Sequence, residues 1–252
     1  MKYLLSLLVL LLAVSAFAQP ESGPGWKFIL PDDLHQWMQG EKPDLLLINS
    51  LSPVEFRDCS IANSISIPLE WMDQPNLLPD DKNKFLVFYC CSKRCAISRR
   101  AADLAVQKGY FSVFVLEEGL PAWKEKGYPT VSLERVLPTN VLSLKSKSLL
   151  KFMKEREDWF ILDIRSRDLY AKQHLRNSMN ISFTDLEAHY QDLPLNKKII
   201  VVDEVGHRSF LASRYLKMKG IDDVRRLFGG MEEWIETLGQ EFIEADSGSA
   251  GK

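Results

Sequence analysis

The second half of this sequence has no cysteine: all four, Cys59, Cys90, Cys91 and Cys95, lie in the first half. That excludes a disulfide framework spread over the whole chain. It also weighs against structural zinc, which wants two pairs of Cys or His at short spacing. No second Cys pair exists, and none of the four histidines lies near the cysteines in sequence. There is no long acidic or basic block, and the formal net charge is only −2. A polyanion-binding surface and a charged tail are therefore excluded, and no nucleic-acid partner is expected. A glycine-rich phosphate loop is missing as well, so no cofactor and no metal are expected. Beyond residue 18 no segment is apolar enough to span a bilayer. What remains is ordinary globular material: 252 residues, 46% hydrophobic and 26% charged, enough for one large domain or two of usual size.

The first 18 residues differ in kind. One lysine, an apolar run and Ala16-Phe17-Ala18 before Gln19 form the pattern of a secretory signal with a small-x-small cleavage site. The alternative is a retained membrane anchor, but the run from Tyr3 to Ala18 is about 16 residues, short of the roughly 20 a spanning helix needs. No cysteine follows the run, which argues against a lipid anchor. The expected product is exported, periplasmic if bacterial and otherwise secreted, with no membrane contact after cleavage. Its cysteines would then meet an oxidising compartment. The sequence divides into a signal (1–18), a flexible leader (19–25), a first domain (26–128), a linker (129–140), a second domain (141–244) and a disordered tail (245–252).

The two domains repeat. At a constant offset Asn49 aligns with Asp163, Phe56 with Tyr170, Asn63 with Asn177, Ser64 with Ser178 and Ile67 with Ile181. A later block pairs Gly119 with Gly230 and Trp123 with Trp234. Within the first copy, DLLLIN reads as a buried strand, SPVEFRDC as a short helix opened by Ser-Pro, and SISIPL as a strand. KFLVFY is a buried strand, AISRRAADLAVQKG a helix stopped by Gly109, SVFVLE a strand and GLPAWKEKG a last helix. Strand-helix alternation with short links predicts an α/β fold, because parallel neighbours need a crossover.

The stretch VFYCCSKRCAISRRAA joins the end of a buried strand to the start of a helix. Ligands of open parallel α/β sheets bind at that edge. Free N–H groups of the first helical turn and of the loop attract anions there. A cysteine in that place is favoured as thiolate, helped by Lys93 and Arg94. The usual thiol pKa of about 8.5 falls to roughly 3.5–7.5 in such settings. The helix charge alone supplies up to about 2 kcal/mol, on the order of 1.5 pKa units. Cys90 is thus predicted to be a nucleophile. A Cys90–Cys95 or Cys91–Cys95 disulfide is the alternative. An inert buried role fits Cys59. Cys59 and Cys90 lie at opposite sheet edges, roughly 17–20 Å apart, so no bond between them is expected.

Tyr89-Cys90, a short loop, a helix containing Ala101-Ala102 and then GYFSVFVLEEGLPAWKEKGYP together resemble a rhodanese (sulfurtransferase) domain, and both halves share the resemblance. The first loop is similar to a subset of exported rhodaneses with Tyr89, Cys90, Cys95 and Ser98 at these spacings. The resemblance implies two tandem rhodanese-like domains, each a parallel sheet with helices on both faces. It implies that Cys90 takes sulfur from a small sulfur-containing anion such as thiosulfate, holds it as a persulfide, and passes it to a thiol or protein acceptor. Cys91, Ser92, Lys93, Arg94 and Cys95 would bind the donor. The chain departs from the family at two places in the first domain: Cys95 stands where an Arg is common, and Asn49-Ser50-Leu51 stands where many members have Asp-x-Arg. The second domain keeps Asp163-Ile164-Arg165 but has Asp203 at the nucleophile position, followed by Arg208 and Ser209. A carboxylate cannot form a persulfide, so that loop is expected to be inactive, and Asp163–Arg165 a structural ion pair. The competing readings are a thiol-disulfide or sensing protein using Cys90 with Cys95, and a non-catalytic binding module. A phosphatase of related fold is a weaker alternative, since its longer loop ends in Arg where this chain has Ala96.

Overall fold

The runs Leu45–Asn49 and Phe85–Tyr89 are buried along most of their length instead of at alternate positions, as strands covered on both faces must be. In the computed structural model, which describes residues 23–92, 95–155, 158–194 and 196–246, they are neighbours inside a parallel sheet. The first half contains β1 (Trp26–Ile29), α1 (Pro31–Gln36), β2 (Leu45–Asn49), α2 (Pro53–Asp58), β3 (Ser60–Ile61), β4 (Ile65–Ser66) and β5 (Phe85–Tyr89). It continues with α3 (Ala96–Gln107), β6 (Ser112–Leu116) and α4 (Gly119–Glu125), and β7 (Thr130–Val131) follows. The second half contains β8 (Leu142–Leu144), α5 (Ser146–Glu155), β9 (Trp159–Asp163), α6 (Arg167–Lys172), β10 (His174–Leu175) and β11 (Met179–Asn180). It ends with α7 (Leu186–His189), β12 (Lys198–Val202), α8 (Arg208–Met218), β13 (Val224–Leu227), α9 (Gly230–Leu238) and β14 (Ile243–Glu244).

The sheet orders are β1-β6-β5-β2-β4 and β8-β13-β12-β9-β11, so the two repeats fold in the same sequence of neighbours. Every pair in both sheets is parallel. The register sets Asn49 beside Tyr89 and Asp163 beside Val202, at the carboxyl ends where the strands release their loops. One face of the first sheet packs Phe88, Ala101 and Ala105; the other packs Val87, Leu116 and Trp123. The second sheet repeats this with Val201, Ala212 and Leu216 on one side and Ile200, Met231 and Trp234 on the other. The result is two α/β domains, each a parallel sheet with helices on both faces. Among the described residues no helix is long and apolar enough to cross a membrane.

Three segments differ from expectation. SISIPL gives only the two-residue β4, because Pro68 has no N–H for a ladder and leads into the 3-10 turn Leu69–Trp71. The linker is tied down: β7 pairs antiparallel with β3, and the Leu133 and Glu134 N–H groups donate to the Arg57 carbonyl. Asp246, inside the expected tail, donates its N–H to Ala171. The expected signal peptide and tail residues 247–252 lie outside the described residues.

The domains share a seam built by α2. Ser52 caps that helix and Glu55 closes the capping box. Val54, 1% exposed, packs in the same apolar cluster as Val136, Phe183 and Leu186. Arg57 Nε reaches Glu187 at 3.0 Å beside it. Val54→Ala is expected to cost about 2 kcal/mol, read as a lower urea midpoint; an unchanged midpoint would show that the seam contributes no stability.

Candidate active site

β5 ends at Tyr89, and α3 starts at Ala96 with Cys95 in the N-cap place. Tyr89 is fully buried and anchors the strand end: its hydroxyl accepts from the Ile61 N–H at 3.0 Å and shares a 2.7 Å hydrogen bond with Ser64 Oγ. The loop after it is held from below by α4. Leu120 N–H donates to the Cys90 carbonyl at 2.9 Å. Gly119 has φ +65°, and a Cβ there would lie 2.5 Å from that same carbonyl oxygen, so only glycine lets the loop settle.

Cys90 is 2% exposed, Cys91 is exposed and Cys95 is half-buried; all four cysteines are free thiols. Ser98 Oγ, on the first turn of α3, donates to Cys90 Sγ at 3.3 Å. As a thiol, Cys90 can instead donate to the Ser92 carbonyl at 3.6 Å or the Cys95 carbonyl at 3.8 Å. The Cys90 pKa is lowered to about 6. The main cause is the neighbouring Cys95 thiol; burial opposes it, and the Ser98 hydroxyl and the Ser92 and Ser98 backbone add to the lowering. Cys90 and Cys91 in turn push the Cys95 thiol up, which makes it the proton donor of the group. Cys91 is also lowered, again chiefly by Cys95.

The second loop shows the anion cradle in full. Asp203, 4% exposed, takes the place of Cys90 at the end of β12. Its carboxylate accepts from Gly206 N–H at 2.8 Å, Arg208 N–H at 2.8 Å and Ser209 N–H at 3.0 Å. Met231 N–H donates to the Asp203 carbonyl, as Leu120 does to Cys90, and Gly230 meets the same crowding as Gly119. Around Cys90 the ring of amides expected from the sequence is less complete, since two carbonyl oxygens share the space with the donors.

Thus Cys90, Ser92 and Cys95 come together, with Cys91 at the surface; Lys93 and Arg94 lie outside the described residues. Asp203, Arg208 and Ser209 form one site of their own. Asp163 and Arg165 are a buried ion pair at 2.7 Å, extended to Glu204 at 3.1 Å. Asn49, the first-domain counterpart of Asp163, accepts from Leu51 N–H instead. Cys59 packs beside the cluster that holds Ile61 and Trp123. Among the described residues no group of three or more His, Cys, Asp or Glu is placed to hold a metal. A cleft of about 690 Å³ opens between the domains, bordered by Ser50, Trp71, Ile97, Arg100, Arg165 and Arg208. It reaches the start of α3 but not Cys90 or Cys91. Sequence reasoning missed Glu55, whose Oε2 accepts from the Ser52 N–H and hydroxyl and also from Arg208 of the second domain. The Ser52-x-x-Glu55 pattern signals a helix cap but nothing of that partner.

Iodoacetamide alkylation of Cys90, followed by peptide mass, is expected to rise with pH through a midpoint near 6, because only the thiolate reacts. Cys95→Ala removes the main stabilising donor and moves that midpoint up toward the free thiol value of about 8.5; an unmoved midpoint would refute Cys95 as the cause. Gly119→Ala should slow the same reaction and lower the melting temperature, at a cost of roughly 1–2 kcal/mol for the left-handed backbone alone.

The rhodanese-like domain model matches residues 30–126 and 146–237, more than half of the chain. A probable molybdopterin-synthase adenylyltransferase of Porphyra purpurea is 33% identical over 91 residues, 35% of this chain and 24% of that protein. The thiosulfate sulfurtransferase GlpE of Pseudomonas syringae is 27% identical over 84 residues, 33% of this chain and 79% of that protein. The crystal structure of a thiosulfate sulfurtransferase from Pseudomonas aeruginosa aligns over 87% of this chain and 43% of that one, at 18% identity and a TM-score of 0.42. This chain spans only about a quarter of the length of the adenylyltransferases it matches. With both halves matched by one family model, the chain belongs to the rhodanese-like domain family and carries the domain twice.

Proposed function

We propose that the protein is a sulfurtransferase that carries sulfane sulfur on Cys90. The observation behind this reading is a buried cysteine at the carboxyl end of a parallel strand, with the Ser98 hydroxyl 3.3 Å from its sulfur; its lowered pKa agrees with that setting. In the first step the Cys90 thiolate attacks the outer sulfur of an anionic donor such as thiosulfate. The donor S–S bond breaks, sulfite leaves with the bonding pair, and Cys90 holds a persulfide. In the second step an acceptor thiolate, small or on a protein, attacks the terminal sulfur. The persulfide S–S bond breaks and its electron pair returns to Cys90 Sγ. Cys91, Ser92, Lys93, Arg94 and Cys95 would bind the donor, and the second loop, with Asp203 filling its cradle, stays silent. The relatives named as sulfurtransferases support the reaction class. Signal-like residues 1–18 support export, to the periplasm in a bacterium.

A second reading rests on Cys95 lying beside Cys90, whose Sγ is 3.8 Å from the Cys95 carbonyl with both thiols free: a reversible disulfide in a redox or sensing protein. One experiment separates the two. Reduced protein incubated with thiosulfate should gain about 32 Da, lose it on adding cyanide, and gain nothing as Cys90→Ala. Loss of about 2 Da that requires Cys95 would favour the redox reading instead. Asp203→Ala should leave the sulfur gain intact.

A further inference from the structure

Cys90 is 2% exposed, so an acceptor in solution meets little of its sulfur. What that sulfur does meet is its own loop. Sγ lies 3.6 Å from the Ser92 carbonyl and 3.8 Å from the Cys95 carbonyl. These two residues close the loop on each other, since the Cys95 N–H donates to the Ser92 carbonyl at 3.3 Å. The second loop folds back in a similar way. Arg208, five residues after Asp203, brings its N–H within 2.8 Å of the Asp203 carboxylate. In both copies, then, the residue five places on lies against the side chain that follows the strand. In the second copy that residue is an arginine; in the first it is a cysteine. Cys95 is half-buried, and its thiol and that of Cys90 are both free. A disulfide can bridge the four intervening residues where the loop turns back on itself. Cys91, the chain neighbour of Cys90, is exposed instead.

We propose that Cys95 is a second catalytic residue, an internal acceptor that discharges the Cys90 persulfide: its sulfur attacks Cys90 Sγ, the bond to the sulfane sulfur breaks, and hydrosulfide leaves. The departing sulfur, already anionic at its free end, takes the bonding pair and the Cys95 proton, and so leaves as HS⁻. It is reduced by two electrons, and the two cysteine sulfurs give up two electrons to become a Cys90–Cys95 disulfide. A dithiol reductant then reopens that bond by thiol–disulfide exchange and restores both thiols. This rests on the sulfurtransferase reading and deepens it: the sulfur accepted by Cys90 leaves as sulfide, without a second protein having to reach a buried atom.

The test follows the reduced full chain, without oxygen or added thiol, after one equivalent of thiosulfate. It is run at about pH 9, above the ordinary thiol value, so that Cys90 is ionised whatever stands at position 95. Wild-type protein should release sulfite, pass through a mass about 32 Da higher, and end about 2 Da lower as an equal amount of hydrosulfide appears. Peptide mapping of that product should show Cys90 joined to Cys95, and dithiothreitol should restore the starting mass. Cys95→Ser should release sulfite, keep the added sulfur and yield no hydrosulfide. Its persulfide should live at least about tenfold longer, because a neighbouring thiol acts at a high effective concentration. A persulfide as long-lived in wild type as in Cys95→Ser overturns the proposal, and so does a disulfide mapped to Cys91. If Cys95→Ser fails to fold or takes up no sulfur, the mapped wild-type product decides. Sulfite without hydrosulfide from wild type sinks the internal discharge alone. No sulfite at all sinks the sulfurtransferase reading, and a loss of about 2 Da with neither product belongs to the plain redox reading and overturns both.

Discussion

A negative charge at the point where a parallel strand hands over to a helix is the constraint on which both domains are built. In the second domain amide groups of the loop and of the first helical turn converge there, and they need an acceptor. In the second domain that acceptor is permanent: the Asp203 carboxylate takes three N–H bonds. In the first domain it is conditional. Cys90 offers a sulfur that is neutral or anionic according to its proton, and the thiol of Cys95 and hydroxyl of Ser98 favour the anion. The same junction thus holds a fixed charge in one copy and a titratable sulfur in the other.

Several features make sense as supports of that junction. Gly119 and Gly230 let a helix start press against the loop without a Cβ in the way. Trp123 and Trp234 lie one turn on, fully packed, each donating its indole N–H to a carbonyl of the chain that leaves the helix. Tyr89 locks the strand end against Ser64 and Ile61 from behind. Burying Cys90 among such fixed partners fixes its orientation, while Cys91 remains the sulfur that meets solvent.

The pairing of two unequal copies gives the second one a use. Helix α2 inserts Val54 into the second domain's core and sets Glu55 where Arg208 can reach it. The second domain thus contributes apolar cover and an arginine to the helix α2 of its neighbour. The linker adds to this: its N–H groups bond to Arg57, and its Glu134 to Lys219, so it works as part of the seam.

Much of the fold was legible because local rules govern it. Buried runs without alternation announced parallel strands, and repeated residues marked shared geometry: Asn63 and Asn177 both take the left-handed backbone, with φ 61° and 60°. The position of Cys90 at a strand-helix junction followed from chain order. SISIPL misled because a proline shortened the ladder, and the linker misled because β7 has no periodicity of its own. The sequence by itself determined the elements, the repeat and the cysteine that ends β5, since these depend on residues near one another in the chain. Only the tertiary structure decided which groups face that cysteine, and that an arginine 153 residues away along the chain meets Glu55, because such contacts are set by how two folded surfaces pack and leave no local trace.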